Sequence, residues 1–155
     1  MTPRLQDEIK QTKPFASLEQ EAMLNIERTA ALLGHQLEQA LKPYGVTPTQ
    51  YNVLRILRGA GERGLCRSEV RERLIAQVPD VTRLLDRLEE TKLIARERDS
   101  VDRRLVNTRI TEEGLELLRR LDQPVIDFHK GQLGHLSKES LRALIDLLTN
   151  ARETR

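Results

Sequence analysis

Arginine dominates the chemistry this chain can offer. Arg83 and Arg87 stand four residues apart in VTRLLDRLEE, so on a helix they share one side. A guanidinium near a helix N-terminus can pair bidentately with guanine, and Thr82 beside it can offer a hydroxyl and a methyl to thymine. Downstream, Asp99, Asp102, Arg103 and Arg104 crowd a turn between two stretches of alternating polarity, Ile94–Arg98 and Leu105–Ile110. That alternation is the period of a half-buried strand, so the segment reads as a hairpin with a charged tip. Arginines on such a tip can enter a minor groove, whose negative potential attracts them. The competing reading of the same residues is a solvated helix face, with Arg83 and Arg87 paired to Asp86 or Glu90. The tip would then only guard a sheet edge.

The other reactive side chains point less clearly. Cys66 is the single cysteine, which excludes an intramolecular disulfide and fits a reducing cytoplasm. Near the start of a short helix its thiol is a candidate for redox or electrophile sensing, against the plainer role of a small residue in a capping slot. His35, His129 and His135 form no metal spacing with Cys66, and no metal is expected. No nucleophile–base pair, glycine-rich phosphate loop or nucleotide fingerprint is present, so neither an enzyme nor a cofactor is expected. The net charge of +2, from 26 basic and 24 acidic side chains, is too small to argue for nucleic acid. Placement of the charges has to carry that case. There is no apolar run long enough to span a bilayer and no secretory leader pattern, so a membrane partner and secretion are not expected.

The elements that would position these residues are mostly helices. The first dozen residues are polar and expected to fray. Ser17 with Gln20 forms a capping-box pattern, and Leu18, Ala22, Ile26, Ala30, Leu33, Leu37 and Leu41 continue as one stripe to Lys42-Pro43-Tyr44-Gly45. A stripe of about seven turns exceeds what a small core covers, so part of it should pack on a second subunit. Thr47-Pro48-Thr49-Gln50 opens the next helix, with Val53, Leu54, Ile56 and Leu57 inward. A short helix follows over 67–74, with Cys66 where a capping hydroxyl would stand and Leu65 and Val70 as a staple. A fourth helix runs from Pro79 to about Thr91, behind the poor cap Val78. After the hairpin, Thr111 caps a helix carrying Leu115, Leu118 and Leu121 that Pro124 should kink or break. Ser137 starts the last, with Leu141, Leu144, Ile145 and Leu148 as its stripe. A short helix, a tight connection, a second amphipathic helix and a hairpin make a winged helix-turn-helix.

The stretch from Val46 to Leu121 resembles the MarR family of winged helix-turn-helix transcriptional regulators. The matching pieces are TPTQYNVLRIL, PDVTRLLDRLE, LIARERDSVDRRLV and RITEEG, above all Asp102-Arg103-Arg104 followed at fixed distance by Ile110-Thr111-Glu112-Glu113-Gly114. The resemblance implies a mainly α fold with a small β-hairpin wing. Residues 1–45 and 112–155 would supply dimerisation helices around a DNA-binding domain at 46–111. It implies a homodimer on double-stranded DNA, probing major grooves with Thr82, Arg83 and Arg87 and the minor groove with a wing of Arg98, Asp102, Arg103 and Arg104. An Asp102–Arg104 ion pair would organise that wing. Phosphate contacts would fall to helix starts, at Thr49, Gln50, Arg67 and Ser68. A pocket for a small phenolic or anionic effector would be walled by His35, Tyr44, Tyr51 and Phe128. The expected role is a cytoplasmic, nucleoid-associated repressor on a pseudo-palindromic operator. The alternatives are a winged-helix module for protein interaction, or a regulator that senses redox state through Cys66. Three departures from the family pattern stand out, the first being Val78, a poor cap before Pro79. Lys92 follows the fourth helix where glycine is usual, and Cys66 replaces a hydroxyl.

Overall fold

A computed structural model of the chain describes residues 4–153. The chain divides into two units, residues 1–40 and 41–155. The first holds α1 (Leu5–Glu8) and nearly all of α2 (Leu18–Leu41). Residues expected to fray are ordered from Leu5 onward, because Leu5 is buried and Arg28 Nε lies 3.7 Å from the Glu8 carboxylate. The part of that expectation on residues 1–3, and the last two residues of the expected C-terminal region, lie outside the described residues. Ser17 Oγ accepts the N–H of Gln20 (3.1 Å), whose carboxamide accepts from Ala16 (2.7 Å) rather than from Ser17. The stop lies at 42–45, where a 3-10 turn leads to Gly45 in the left-handed region.

The second unit is the winged helix with two further helices. It contains α3 (Pro48–Ala60), α4 (Arg67–Arg73), α5 (Val81–Glu90), β1 (Ile94–Arg98), β2 (Val106–Ile110), α6 (Glu112–Leu133) and α7 (Lys138–Arg152). Thr47 caps α3 in a full capping box, its hydroxyl accepting from Gln50 N–H and its own N–H donating to Gln50 Oε1. The strands pair antiparallel, Ile94 opposite Ile110 and Arg98 opposite Val106. Leu65 exchanges both backbone hydrogen bonds with Thr108, which anchors the start of α4 to the hairpin. Val53, Leu54, Leu57, Val81, Leu85, Leu88, Ile94, Leu118 and Leu121 fill the core between them.

Two boundaries differ from the sequence expectation. α5 starts two residues late, at Val81, because the Asp80 carboxylate accepts Arg83 N–H at 2.9 Å. Asp is a far better cap than Val78. α6 runs unbroken through Pro124, whose ring is exposed; the proline removes only the single bond its missing N–H would make to Arg120. Arg58 of α3 grips Asp122 of α6 with two bonds of 2.9 and 3.0 Å, and this pairing holds the Asp122 carboxyl below its usual range.

The end of α5 is a Schellman motif. Leu93 N–H reaches Leu88 C=O (3.1 Å) and Lys92 N–H reaches Glu89 C=O (2.9 Å), with Lys92 at φ 61°. The freed carbonyls are then used. Thr111 Oγ1 donates to Lys92 C=O (2.6 Å), Thr111 N–H donates to Leu93 C=O (3.1 Å), and Gly114 N–H returns to Thr111 Oγ1 (3.1 Å). A Cβ on Gly114 would lie 2.4 Å from the Leu93 oxygen. The Leu93 backbone on one side and the Ile110 side chain, 2.6 Å away on the other, leave it little room.

These two positions invert what helix propensity alone dictates. Gly114→Ala should destabilise by about 2 kcal/mol despite the better helix former, since overpacking wins. Lys92→Gly should stabilise by about 1 kcal/mol by relieving the left-handed side chain. Urea unfolding checks both, and an unchanged or raised midpoint for Gly114→Ala would count against the packing described.

Candidate nucleic-acid interface

α5 owes its orientation to one face. Val81, Leu85 and Leu88 are buried, which turns Thr82, Arg83 and Arg87 to the exposed side. Two of its three carboxylates, Asp86 and Glu89, are already engaged. Arg96 of β1 donates to Asp86 Oδ1 (2.6 Å) and to both oxygens of Glu89 (2.9 and 3.2 Å). The Arg96 side chain is only 22% exposed. Its bonds hold the Glu89 carboxyl below the usual carboxylate range, and Glu89 in turn raises the guanidinium further. The expected pairing of Arg83 or Arg87 with Asp86 does not form. Neither arginine has an ion-pair partner among the described residues, so both are presented free.

Arg96 is a residue the sequence reading passed over, yet its signal was there. In a strand of period two it shares a face with buried Ile94, and a charge on a buried face must find a partner.

The wing is built on Asp99. Its carboxylate accepts the N–H groups of Val101 (2.8 Å) and Asp102 (2.9 Å) and the Asn107 amide (2.9 Å). Those backbone donors, Asp102 first, keep its carboxyl below the usual range. Asp99 N–H to Leu105 C=O and Leu105 N–H to Asp102 C=O close the turn. The Asp102–Arg104 ion pair is long, 3.9 Å with Arg104 96% exposed, and the Asp102 carboxylate contributes chiefly by accepting the Arg104 N–H at 3.1 Å. A guanidinium in free solvent gains little there, whereas an Asx-type carboxylate satisfies turn N–H groups directly. Arg98 turns inward on the Arg103 carbonyl (2.9 Å) and so is part of the wing's frame. Arg103 and Arg104 remain outward.

At the start of α4, Cys66 N–H donates to Glu69 (2.9 Å), which also takes Arg63 (2.7 Å). The half-buried Cys66 thiol lies 3.1 Å from Ser68 Oγ. Arg67 reaches across to α5 and donates to Thr82 Oγ1 (2.9 Å). Arg67, Thr82, Arg96, Arg104 and Val106 line one cleft of about 390 Å³ between the two helices and the wing. Thr49 and Gln50 sit half-buried at the start of α3, where Gln50 serves as cap.

The residues expected to wall an effector pocket are not brought together. Tyr51 is buried in the core of α3, because that face also carries Val53, Leu54 and Leu57. Phe128 meets His129 edge-on at 5.6 Å. Tyr44 alone borders an open cleft of about 610 Å³, beneath the Arg120 guanidinium (5.6 Å) and beside Glu112 and Glu116. His35 belongs to the other unit, exposed, 3.8 Å from Glu38.

Comparison with known proteins places this geometry. The description of the MarR family matches residues 44–105. A MarR transcription factor from Planctomyces limnophilus, solved by crystallography, is 38% identical, covering 88% of this chain and 98% of that one with a TM-score of 0.67. The HTH-type transcriptional repressor MdtR of Bacillus subtilis (strain 168) is 33% identical over 102 residues, 66% of this chain; the chain spans 64% of that repressor's length. The transcriptional repressor CouR, solved bound to a 23-mer DNA duplex, is 26% identical, with 82% of this chain and 89% of that one aligned and a TM-score of 0.73.

Arg96→Gln tests the clamp. Removing it should lower stability by about 1 kcal/mol, the scale of a half-exposed ion pair with good hydrogen bonds. It should also release Asp86 to capture Arg83 one turn away, so sequence-specific DNA binding should fall further than stability does. Calorimetry and fluorescence anisotropy measure the two; full DNA affinity in a destabilised variant would contradict the capture.

Proposed function

We propose that this chain, which belongs to the MarR family of DNA-binding transcriptional regulators, reads a pseudo-palindromic operator as a homodimer and represses from it. The observation that carries this reading is the Arg96 clamp. It occupies Asp86 and Glu89 of α5 and leaves Arg83 and Arg87 free beside a wing whose Arg103 and Arg104 point outward. Arg83 at the third helical position pairs with a base edge in the major groove, worth about tenfold or more in discrimination. Arg103 and Arg104 enter the adjacent minor groove and add affinity with little choice of sequence.

Dimerisation is supported by unspent apolar surface. Leu18 is 81% exposed on α2, and no residue of α7 is buried, with Ile145 62% exposed. Such surface on helices of this length is what a second copy would cover. Two reading helices then fall about 34 Å apart, one turn of the duplex. MdtR and CouR are both transcriptional repressors, which supports repression here, and a cytoplasmic protein at the nucleoid belongs to the same reading. Release by a small effector belongs to the same proposal. The cleft beside Tyr44 is where it would act, in place of the wider pocket drawn from sequence.

Binding of sheared genomic fragments, followed by sequencing and a salt titration on the recovered duplex, tests the reading. A two-chain complex preferring its site over random DNA by about a thousandfold or more is expected. Affinity no better than for random DNA would favour a protein-interaction module instead. On the recovered site, Arg83→Ala should relax preference at one base pair per half-site, and Arg104→Ala should weaken all sequences alike with a shallower salt dependence.

A further inference from the structure

We infer that Arg67 is a specificity-positioning residue: it fixes the Thr82 hydroxyl as a hydrogen-bond donor toward the bases, rather than serving as an independent phosphate clamp. The inference rests on the reading of α5 as the base-reading helix. Arg67 is the first residue of α4 and Thr82 the second of α5, so the bond between them spans the two helices of the helix-turn-helix. Both residues are exposed and both line the cleft that opens toward the wing. Arg67 has no carboxylate to satisfy it among the described residues. Its neighbour Glu69 is taken by Arg63 and the Cys66 N–H.

The consequence is chemical. A threonine hydroxyl has one donor proton and two acceptor lone pairs, and alone it rotates to suit either partner. Here a guanidinium N–H occupies a lone pair at 2.9 Å. The hydroxyl proton must then point away from Arg67, and the cation polarises the O–H as a donor. Thr82 held this way reads an acceptor on the major-groove edge, such as purine N7, guanine O6 or thymine O4. It opposes the cytosine amino group, itself a donor. The remaining guanidinium N–H groups keep a positive charge at the cleft mouth without committing it to one phosphate.

A double-mutant cycle tests this on the duplex recovered from genomic selection, with single base substitutions along it and a random duplex of equal length as reference. Thr82→Val keeps the shape and methyl and removes the hydroxyl. We expect Thr82→Val and Arg67→Ala each to reduce preference about tenfold at the same base pair. The double variant should be no worse than the worse single variant, and the salt slope on random DNA should be unchanged. If Arg67→Ala instead weakens operator and random DNA alike, with a slope shallower by about 0.9 and effects that add to Thr82→Val, Arg67 is a phosphate contact and the inference fails. Failure to recover any preferred duplex would defeat the base-reading proposal itself, which keeps the two distinguishable. Both residues are exposed, so thermal melts should match the parent chain.

Discussion

The carbonyls of Lys92 and Leu93 are where the reading helix, the wing and the long C-terminal helix are tied together. The Schellman turn at the end of α5 frees them, and Thr111 takes both, one through its hydroxyl and one through its N–H. The same hydroxyl accepts Gly114 N–H and so starts α6. Three elements thus share one backbone knot, and its tightness forbids a Cβ at Gly114. The knot tolerates Lys92 in a left-handed conformation, at a cost of about 1 kcal/mol, because hydrogen bonds on both sides over-determine that backbone.

Around the knot, charge is sorted by role. Arg58, Arg96 and Arg98 are spent inside the unit, on Asp122, on Asp86 with Glu89, and on the Arg103 carbonyl. Arg83, Arg87, Arg103 and Arg104 are left outward. A net charge of +2 conceals this division, since it does not distinguish arginines held by Asp86, Glu89 and Asp122 from those left outward. The field a groove would meet is set by the unpaired guanidiniums.

Most of the fold was legible in local signals. A capping box at Thr47, caps at Ser17, Thr111 and Ser137, and alternation on either side of Asp99 located helices and hairpin to within a residue or two. The errors arose where two local rules competed. At 78–80, proline at a first turn outweighed the adjacent aspartate, although the carboxylate makes the better cap. At Pro124, the helix-breaker rule ignored the packing of Leu117, Leu118, Leu121 and Val125, which holds α6 through one lost bond. The outward face of α5 was legible from periodicity, but the partner of each charge was not. Arg96 lies ten residues from Asp86, and only the hairpin's return over α5 brings them together. The wing's dependence on the Asp99 and Asp102 carboxylates as acceptors of turn N–H groups, more than on the Arg104 guanidinium, is likewise set by turn geometry that spacing alone does not specify. Tyr51 was drawn to a ligand pocket for its ring, yet its place on the core face of α3 decides its burial.

The knot and the Arg58–Asp122 pair also determine how the reading head can move. α6 is fastened at Thr111 to the wing and α5, and again at Asp122 to α3. The segment from Glu112 to Leu133 is a continuous helix of 22 residues, about 33 Å long. With one fixing at its start and one at its middle, α3, α5 and the wing follow α6 as a body. A tilt of roughly 5° applied at its far end then carries through that length to a shift of about 3 Å, close to the rise of one base pair. In the homodimer proposed above, small changes far from the bases would then be enough to take its two reading helices out of register with successive grooves. No internal rearrangement of the helix-turn-helix is needed, and the bonds of Arg96, Asp99 and Thr111 would resist one.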